Sequence, residues 1–87
     1  MRPVAIRINS RVTPQGVVVE LHGWLGQEVL GELENLCDSI GGPFLLDLSQ
    51  LAGTDEAGLR ALRGRVAAGV RVEGASHYIQ LLLEGEN

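Results

Sequence analysis

The chain has 87 residues, enough for a single domain spanning 1–87, and its hydrophobic fraction of 45% is high enough to form a core and to argue against disorder. Its formal net charge of −4 repels phosphate backbones, which disfavours nucleic acid as a partner. No apolar run reaches the roughly 18 residues of a membrane span, and the start of the chain lacks the apolar stretch of a signal peptide. We therefore expect a cytoplasmic domain that does not insert into membranes.

The first half of the chain has the pattern of a β-hairpin followed by a helix. Ala5–Asn9 alternates weakly and is typical of an edge strand, Thr13–Gly16 is a turn cluster, and Gly16–His22 is rich in β-branched residues. After the break at Gly23, apolar side chains recur in steps of three and four over about Gln27–Ser39, which predicts an amphipathic helix. A Gly-Gly-Pro sequence ends this helix.

The second half alternates short strands with helices. A central buried strand over Phe44–Leu48 leads into a connecting loop, Ser49–Asp55, and then into a second helix, Glu56–Ala68. A short strand, Val70–Glu73, and a final helix, Ser76–Leu83, follow, and the last residues are expected to form a frayed tail. The order β-β-α-β-α-β-α predicts an α/β fold, with a mixed β-sheet of about four strands and helices packed on it.

The junction between the third predicted strand and the second helix carries most of the information about function. Thr54 or Asp55 can cap the free N–H groups at the start of the helix, and Asp55 and Glu56 complement its partial positive charge. Gly58, in the first turn, costs about 1 kcal/mol relative to alanine. A side chain is therefore expected to be excluded there, either by close packing of the helix on the sheet or by a partner on the helix.

At these residues the sequence resembles the STAS domain family, which includes bacterial anti-sigma factor antagonists. Asp47-Leu48-Ser49 matches the end of the family's central strand, and Asp55, Gly58 and Leu59 match the Asp, Gly and Leu of its Asp-Ser-Ser-Gly-Leu element. The resemblance covers nearly the whole chain and implies a STAS-like fold. It continues upstream and downstream over two further segments, Val17–Leu25 and Val70–Ser76.

The sequence departs from the family at the position that carries regulation. In the antagonists, the residue before the matching glycine is a serine that the partner kinase phosphorylates, whereas here it is Ala57, which has no hydroxyl. Glu56 places a permanent negative charge one residue away, with less charge than a phosphate and in a shifted position. Gly26 is a second departure, because family members often carry Asp after the Gly-x-Leu element. The resemblance therefore implies a domain that is not phosphorylated at the usual site and that binds constitutively.

The second predicted helix offers a face for docking. On a helical wheel, Leu59, Leu62 and Val66 share the inward side. The opposite side carries a stripe of small residues, Ala57, Ala61, Gly64 and Ala68, which lets another backbone approach closely. Arg60 and Arg65 flank this stripe and can pair with carboxylates. The alternative is that alanine serves there only as a good helix former on an exposed surface. The predicted partner-binding residues are Gly53, Thr54, Asp55, Glu56, Ala57, Arg60, Ala61, Gly64, Arg65 and Ala68.

The remaining chemistry-bearing residues do not form a catalytic or metal-binding pattern. Cys37 is the single cysteine, which excludes an internal disulfide, and it lies on the apolar stripe of the first helix. His22 and His77 lack metal-ligand spacing, and Asp55 is better explained as a cap than as an acid–base carboxylate. Trp24 is predicted to cover the core, and the alternative is that it stands exposed as an anchor for a partner. We thus expect no catalytic residue, no metal and no cofactor.

The function that follows from these observations is protein docking rather than catalysis. The resemblance implies an anti-sigma antagonist-like regulator of transcription in a bacterial cytoplasm, with a partner similar to an anti-sigma factor kinase. One alternative is the STAS subunit of a phospholipid-trafficking ABC transporter, a role that does not need the missing serine. Another is a sensor that binds an anion or a nucleotide at the helix N-terminus. A second copy of the chain, held through the small-residue stripe, is a further partner to consider.

Overall fold

A computed structural model describes residues 6–84, and the expected first strand residue, Ala5, and the expected tail at 85–87 lie outside the described residues. Within that range the chain forms five strands and three helices, in the order β-β-α-β-β-α-β-α. The strands are β1 (Ile6–Thr13), β2 (Gly16–Leu25), β3 (Phe44–Asp47), β4 (Leu51–Thr54) and β5 (Arg71–Glu73). The helices are α1 (Leu30–Ser39), which follows a 3₁₀ turn at Gln27–Val29, α2 (Glu56–Ala67) and α3 (His77–Glu84).

The sheet is mixed and is organised around β2. β1 pairs antiparallel with one edge of β2, whereas β3 and β4 pair parallel with successive parts of its other edge. β5 adds in parallel to β3, so the strands occupy four positions across the sheet. The mixed α/β sheet expected from the sequence is therefore confirmed.

Three strands differ from the sequence prediction. β2 continues through Gly23 to Leu25, so the break predicted at Gly23 is wrong, and the added residues pair with β4. β1 continues through the polar residues up to Thr13 instead of ending at Asn9, because the hairpin keeps it in register with β2 over its whole length. The loop predicted over Ser49–Asp55 contains β4, which pairs with the end of β2. A four-residue strand that includes Ala52 and Gly53 has little β-propensity of its own, so the distant pairing with β2 forms it.

All three helices pack on one face of the sheet. Crossovers between parallel strands are right-handed, and those from β2 to β3 and from β4 to β5 step in the same direction, so α1 and α2 lie on the same side. Leu33 and Cys37 of α1, Leu62 of α2 and Ile79 of α3 join a single core with the inward residues of the strands. The placement of Cys37 in the core is confirmed, and none of the helices in the described range is long and apolar enough to cross a membrane.

The opposite face of the sheet carries charged residues. Glu20 accepts a hydrogen bond from Nε of Arg11 at 2.7 Å and lies 3.2 Å from Nε2 of His22. The Asp47 carboxylate accepts the backbone N–H of Ser49 at 3.0 Å, and this bond lowers its pKa. His22 and Cys37 thus lie on opposite sides of the sheet. The histidine therefore cannot act as the base that would activate the cysteine as a nucleophile.

Candidate functional site

The start of α2 is fixed by the carboxylate of Asp55, the N-cap residue. Its Oδ1 accepts the backbone N–H of Gly58 at 2.8 Å, and its Oδ2 accepts the backbone N–H of Gln27 at 2.9 Å. These two bonds tie the helix to the turn that leads into α1, and they hold the pKa of Asp55 below its ordinary value. The predicted capping role of Asp55 is confirmed, and both of its oxygens are engaged within the domain.

Gly58 is buried because the first turn of α2 lies directly against two strands. A Cβ atom at this position would lie 2.7 Å from the carbonyl oxygen of Leu25 and would also collide with the hydroxyl of Thr54. That hydroxyl donates a hydrogen bond to the same Leu25 carbonyl at 2.9 Å. Close packing of the helix on the sheet, the first of the two reasons expected for Gly58, is therefore observed.

Two of the predicted partner-binding residues lie beneath the surface. Gly53 and Thr54 are buried in β4, and Thr54 is one of the buried polar residues of the described range. A Cβ on Gly53 would lie 2.6 Å from the ring of Trp24, so the indole lies over this glycine. Gly53 is therefore covered by the indole of Trp24, and Thr54 is covered by the first turn of α2.

The position of Trp24 differs from the one predicted from the sequence. It was expected to cover the core, but it covers β4, and 46% of its surface is exposed. Its neighbour Leu25 is fully buried, so the alternation of β2 turns Trp24 away from the core. The signal available in the sequence was this alternation, which puts Trp24 and Leu25 on opposite sides of β2.

The exposed surface at the start of α2 is acidic. Glu56 projects from the first turn with 87% of its side chain exposed, and its Oε2 lies 3.6 Å from the guanidinium of Arg60 one turn later. An exposed pair of this kind contributes little to stability. Ala57, at the position of the family's serine, is half-buried between Glu56 and Gly58.

The stripe of small residues does not point straight out to solvent. It runs along the side of α2 that faces α1 and lines a groove of about 280 Å³ between the two helices. Leu33 and Glu34 of α1 line the groove from the other helix, and Arg65 lies on the α2 side. The small residues that line it are Ala61, Gly64 and Ala68.

The orientation of α2 explains this shift. Leu62 is fully buried and Leu59 is half-buried, as expected, but Val66 is 43% exposed, so its predicted inward position is wrong. Gly58 and Leu62 are the buried residues of the helix, and the close contact at Gly58 rotates the inward side towards it. The stripe therefore lies beside the buried side of the helix rather than opposite to it.

On its other side, α2 is joined to α3. Nε and Nη2 of Arg63 donate hydrogen bonds to the carbonyl oxygen of Leu82 at 3.1 and 2.7 Å. Arg60 and Arg65 make no comparable bond to another helix in the described part of the chain. Arg63 thus joins α2 to α3, whereas Arg60 and Arg65 flank the stripe.

Comparison with known proteins finds a match among the solved structures. No family model and no curated protein matches the sequence. A crystal structure of an antisigma-factor antagonist, a STAS domain from Rhodobacter sphaeroides, matches with a TM-score of 0.63 and 17% sequence identity, over 84% of this chain and 94% of that chain. At this identity the likeness is one of fold, and the chain has the STAS fold that its motifs predict.

Proposed function

We propose that the domain is a non-catalytic protein-interaction module that works in the cytoplasm as an anti-sigma factor antagonist-like regulator. Its partner-binding surface is the exposed part of α2, from the Asp55 cap to Ala68, with Trp24 at one end. The observation that carries the proposal is the groove between α1 and α2. The groove combines a buried apolar residue, Leu33, with small residues, and it has Glu34 on one side and Arg65 on the other. Small side chains allow close approach of another backbone, and the charges select its orientation.

Ala57 sets the mode of regulation in this proposal. The position that would accept a phosphate in an antagonist has no hydroxyl, and the nearby Thr54 hydroxyl is buried in a hydrogen bond to Leu25. Binding is therefore constitutive and is governed by the amounts of the domain and its partner. The variant Ala57→Ser should gain phosphate from a kinase partner in the presence of ATP, whereas the unaltered chain should not.

An anion sensor at the start of α2 is less well supported. The N–H group that an anion would use first, that of Gly58, is already taken by the carboxylate of Asp55. Glu56 adds a second negative charge at the same end of the helix. An incoming phosphate or carboxylate would have to displace one charge and approach another.

The test is to purify the tagged domain from its native cells and to identify the proteins that remain bound. Ala61→Glu places a bulky charge in the groove close to Glu34, so partner binding should be lost while the fold is kept. Leu81→Glu, at a 54% exposed position on α3, is the matched control and should retain the partner. A nucleotide-binding anti-sigma kinase lost only with Ala61→Glu would support the proposal.

Other outcomes of this experiment have distinct meanings. Transporter components lost only with Ala61→Glu would keep the docking surface but assign the domain to a phospholipid-trafficking ABC transporter. A partner that is retained by both variants would show that the binding surface lies elsewhere. If no protein is retained by the unaltered chain, and a nucleotide or an inorganic anion raises its thermal unfolding midpoint, the sensor interpretation would replace the proposal.

A further inference from the structure

The outer edge of β1 is a long and regular strand edge. β1 spans eight residues, contains neither glycine nor proline, and keeps an unbroken register with β2 from Ile6 to Thr13. Within the described residues, its other edge pairs with no strand. Every second residue of an edge strand turns its N–H and C=O groups outward, and natural proteins usually shorten, bend or cover such an edge. This edge is neither shortened nor bulged.

The most exposed large apolar side chain of the described range lies on this strand. Val12 is 83% exposed and lies on the same face of β1 as Ile8. Ile8 is half-buried and packs against the core. An added strand that placed an apolar residue opposite Val12 would extend the apolar face of the sheet past β1.

We propose that β1 pairs antiparallel with β1 of a second copy of the chain, in the register that places Ser10 on the two-fold axis. In that register Ile8 of each copy lies opposite Val12 of the other, and Arg7 lies opposite Thr13. Asn9 lies opposite Arg11, so no two like charges face each other. The result is one continuous sheet across two subunits.

The arginines of β1 exclude the neighbouring registers. Centring the pair on Asn9 places Arg7 opposite Arg11 twice, and centring it on Arg11 places that residue opposite itself, which is destabilising. Centring it on Ile8 pairs only residues 6–10 of the described strand and leaves Val12 outside. Centring it on Val12 pairs only residues 11–13 of the strand. In the remaining registers the two-fold axis passes between two residues of the strand. A residue whose N–H and C=O point outward would then lie opposite one whose groups point inward, and no hydrogen-bonded ladder would form. The charge pattern and the length of the pairing together therefore select one alignment.

The first test is the mass of the full chain in solution by light scattering after size exclusion. We expect a dimer, that is, twice the 9.3 kDa of one chain, in a concentration-dependent equilibrium. Val12→Lys puts a charge opposite Ile8 of the second copy and should weaken the dimer by about tenfold or more. Leu81→Lys, at a 54% exposed position away from β1, is the control and should leave the dimer unchanged. A monomer at all concentrations, or a Val12→Lys variant that dimerises like the unaltered chain, would overturn the proposal.

The second test addresses the register by oxidative cross-linking. Ser10→Cys should form an intermolecular disulfide, because directly opposite Cα atoms lie about 5 Å apart, within the range that a disulfide spans. Asn9→Cys is the matched control, since two Asn9 residues would be about 8 Å apart and too distant to bridge. The native Cys37 is 5% exposed and does not compete. Cross-linking of Asn9→Cys equal to or faster than that of Ser10→Cys would contradict the register.

Discussion

Gly58 and Gly64 lie on the same helix but differ in how closely the sheet approaches them. Substituting each by alanine therefore tests the contact between α2 and the sheet. A Cβ at Gly58 meets the Leu25 carbonyl oxygen at 2.7 Å, whereas a Cβ at Gly64 has nothing within 4 Å. Overpacking costs about 1–3 kcal/mol, which exceeds the gain of about 1 kcal/mol in helix propensity. We expect Gly58→Ala to lower the free energy of unfolding and Gly64→Ala to raise it by roughly 0.5–1 kcal/mol, both measured by urea denaturation. Equal effects of the two substitutions would mean that Gly58 is not in close contact.

Asp55 should make the domain sensitive to acid. Its pKa in the folded state is lowered from the ordinary 3.8, chiefly by the hydrogen bonds from Gly58 and Gln27. A carboxylate with a depressed pKa stabilises the fold above its unfolded pKa, and this stabilisation is lost as the pH falls through the folded pKa. We therefore expect Asp55→Asn to have a lower thermal midpoint than the unaltered chain near neutral pH, and the difference to shrink below about pH 4.

The control for this prediction is an exposed aspartate elsewhere. Asp38→Asn, on α1, should leave the midpoint nearly unchanged near neutral pH. A difference between Asp55→Asn and the unaltered chain that stayed constant down to the acid limit would show that Asp55 acts by shape alone and not by its charge.

At the level of single residues, local patterns were predictable and distant contacts were not. The sequence around Asp55 contains all that is needed to predict an N-cap, because the cap and Gly58 are three residues apart. The bond from Gln27 to the same carboxylate spans 28 residues and depends on how the strands align. The position of Trp24 over Gly53 has the same origin, since the two residues are brought together only by the pairing of β2 with β4.

Among the elements, β2 ends next to β4, which leads into α2, and it places the exposed aromatic residue Trp24 against Gly53, two residues before the Asp55 cap of the proposed binding surface. Tryptophan is enriched among the residues that dominate binding energy, and this one is already held in place by its contact with Gly53. We expect Trp24→Ala to weaken binding to the partner identified above by about tenfold or more, measured by calorimetry. Trp24→Phe should restore part of the affinity.

A control separates binding from folding in this prediction. Tyr78→Ala removes an aromatic side chain that is 57% exposed on α3, away from the proposed surface, and should not change the affinity. Thermal midpoints of both variants show whether the fold is kept. A Trp24→Ala variant that stays folded and binds with unchanged affinity would remove Trp24 from the surface.

The type of most elements followed from the sequence, but their orientation did not. The apolar period located α1, α2 and α3. Ser76 caps the last helix, and its hydroxyl accepts the N–H of Ile79 at 3.2 Å. The rotation of α2 was misjudged at Val66, because a glycine counts as neutral on a helical wheel although Gly58 is the closest contact with the sheet. A similar limit hid β4, whose residues pair only because β2 continues past Gly23.

For the whole molecule, one-sided packing of the helices leaves two separate regions for interaction. The helical layer presents the groove between α1 and α2, and the sheet presents the outer edge of β1. The two regions share no residue. A dimer through β1 would therefore carry two copies of the α2 surface, which doubles the number of partners that one assembly can hold.

This arrangement predicts that dimerisation and partner binding are separable. Val12→Lys should weaken the dimer and leave the affinity of each subunit for the partner unchanged, because its effect is confined to β1. Ala61→Glu should abolish partner binding and leave the dimer intact, because the groove lies on the helices. Light scattering gives the extent of dimerisation of each variant, and calorimetry gives its affinity for the partner. If Ala61→Glu also dissociated the dimer, the self-association would run through α2 rather than through the edge of the sheet, and the small-residue stripe would be the dimer interface.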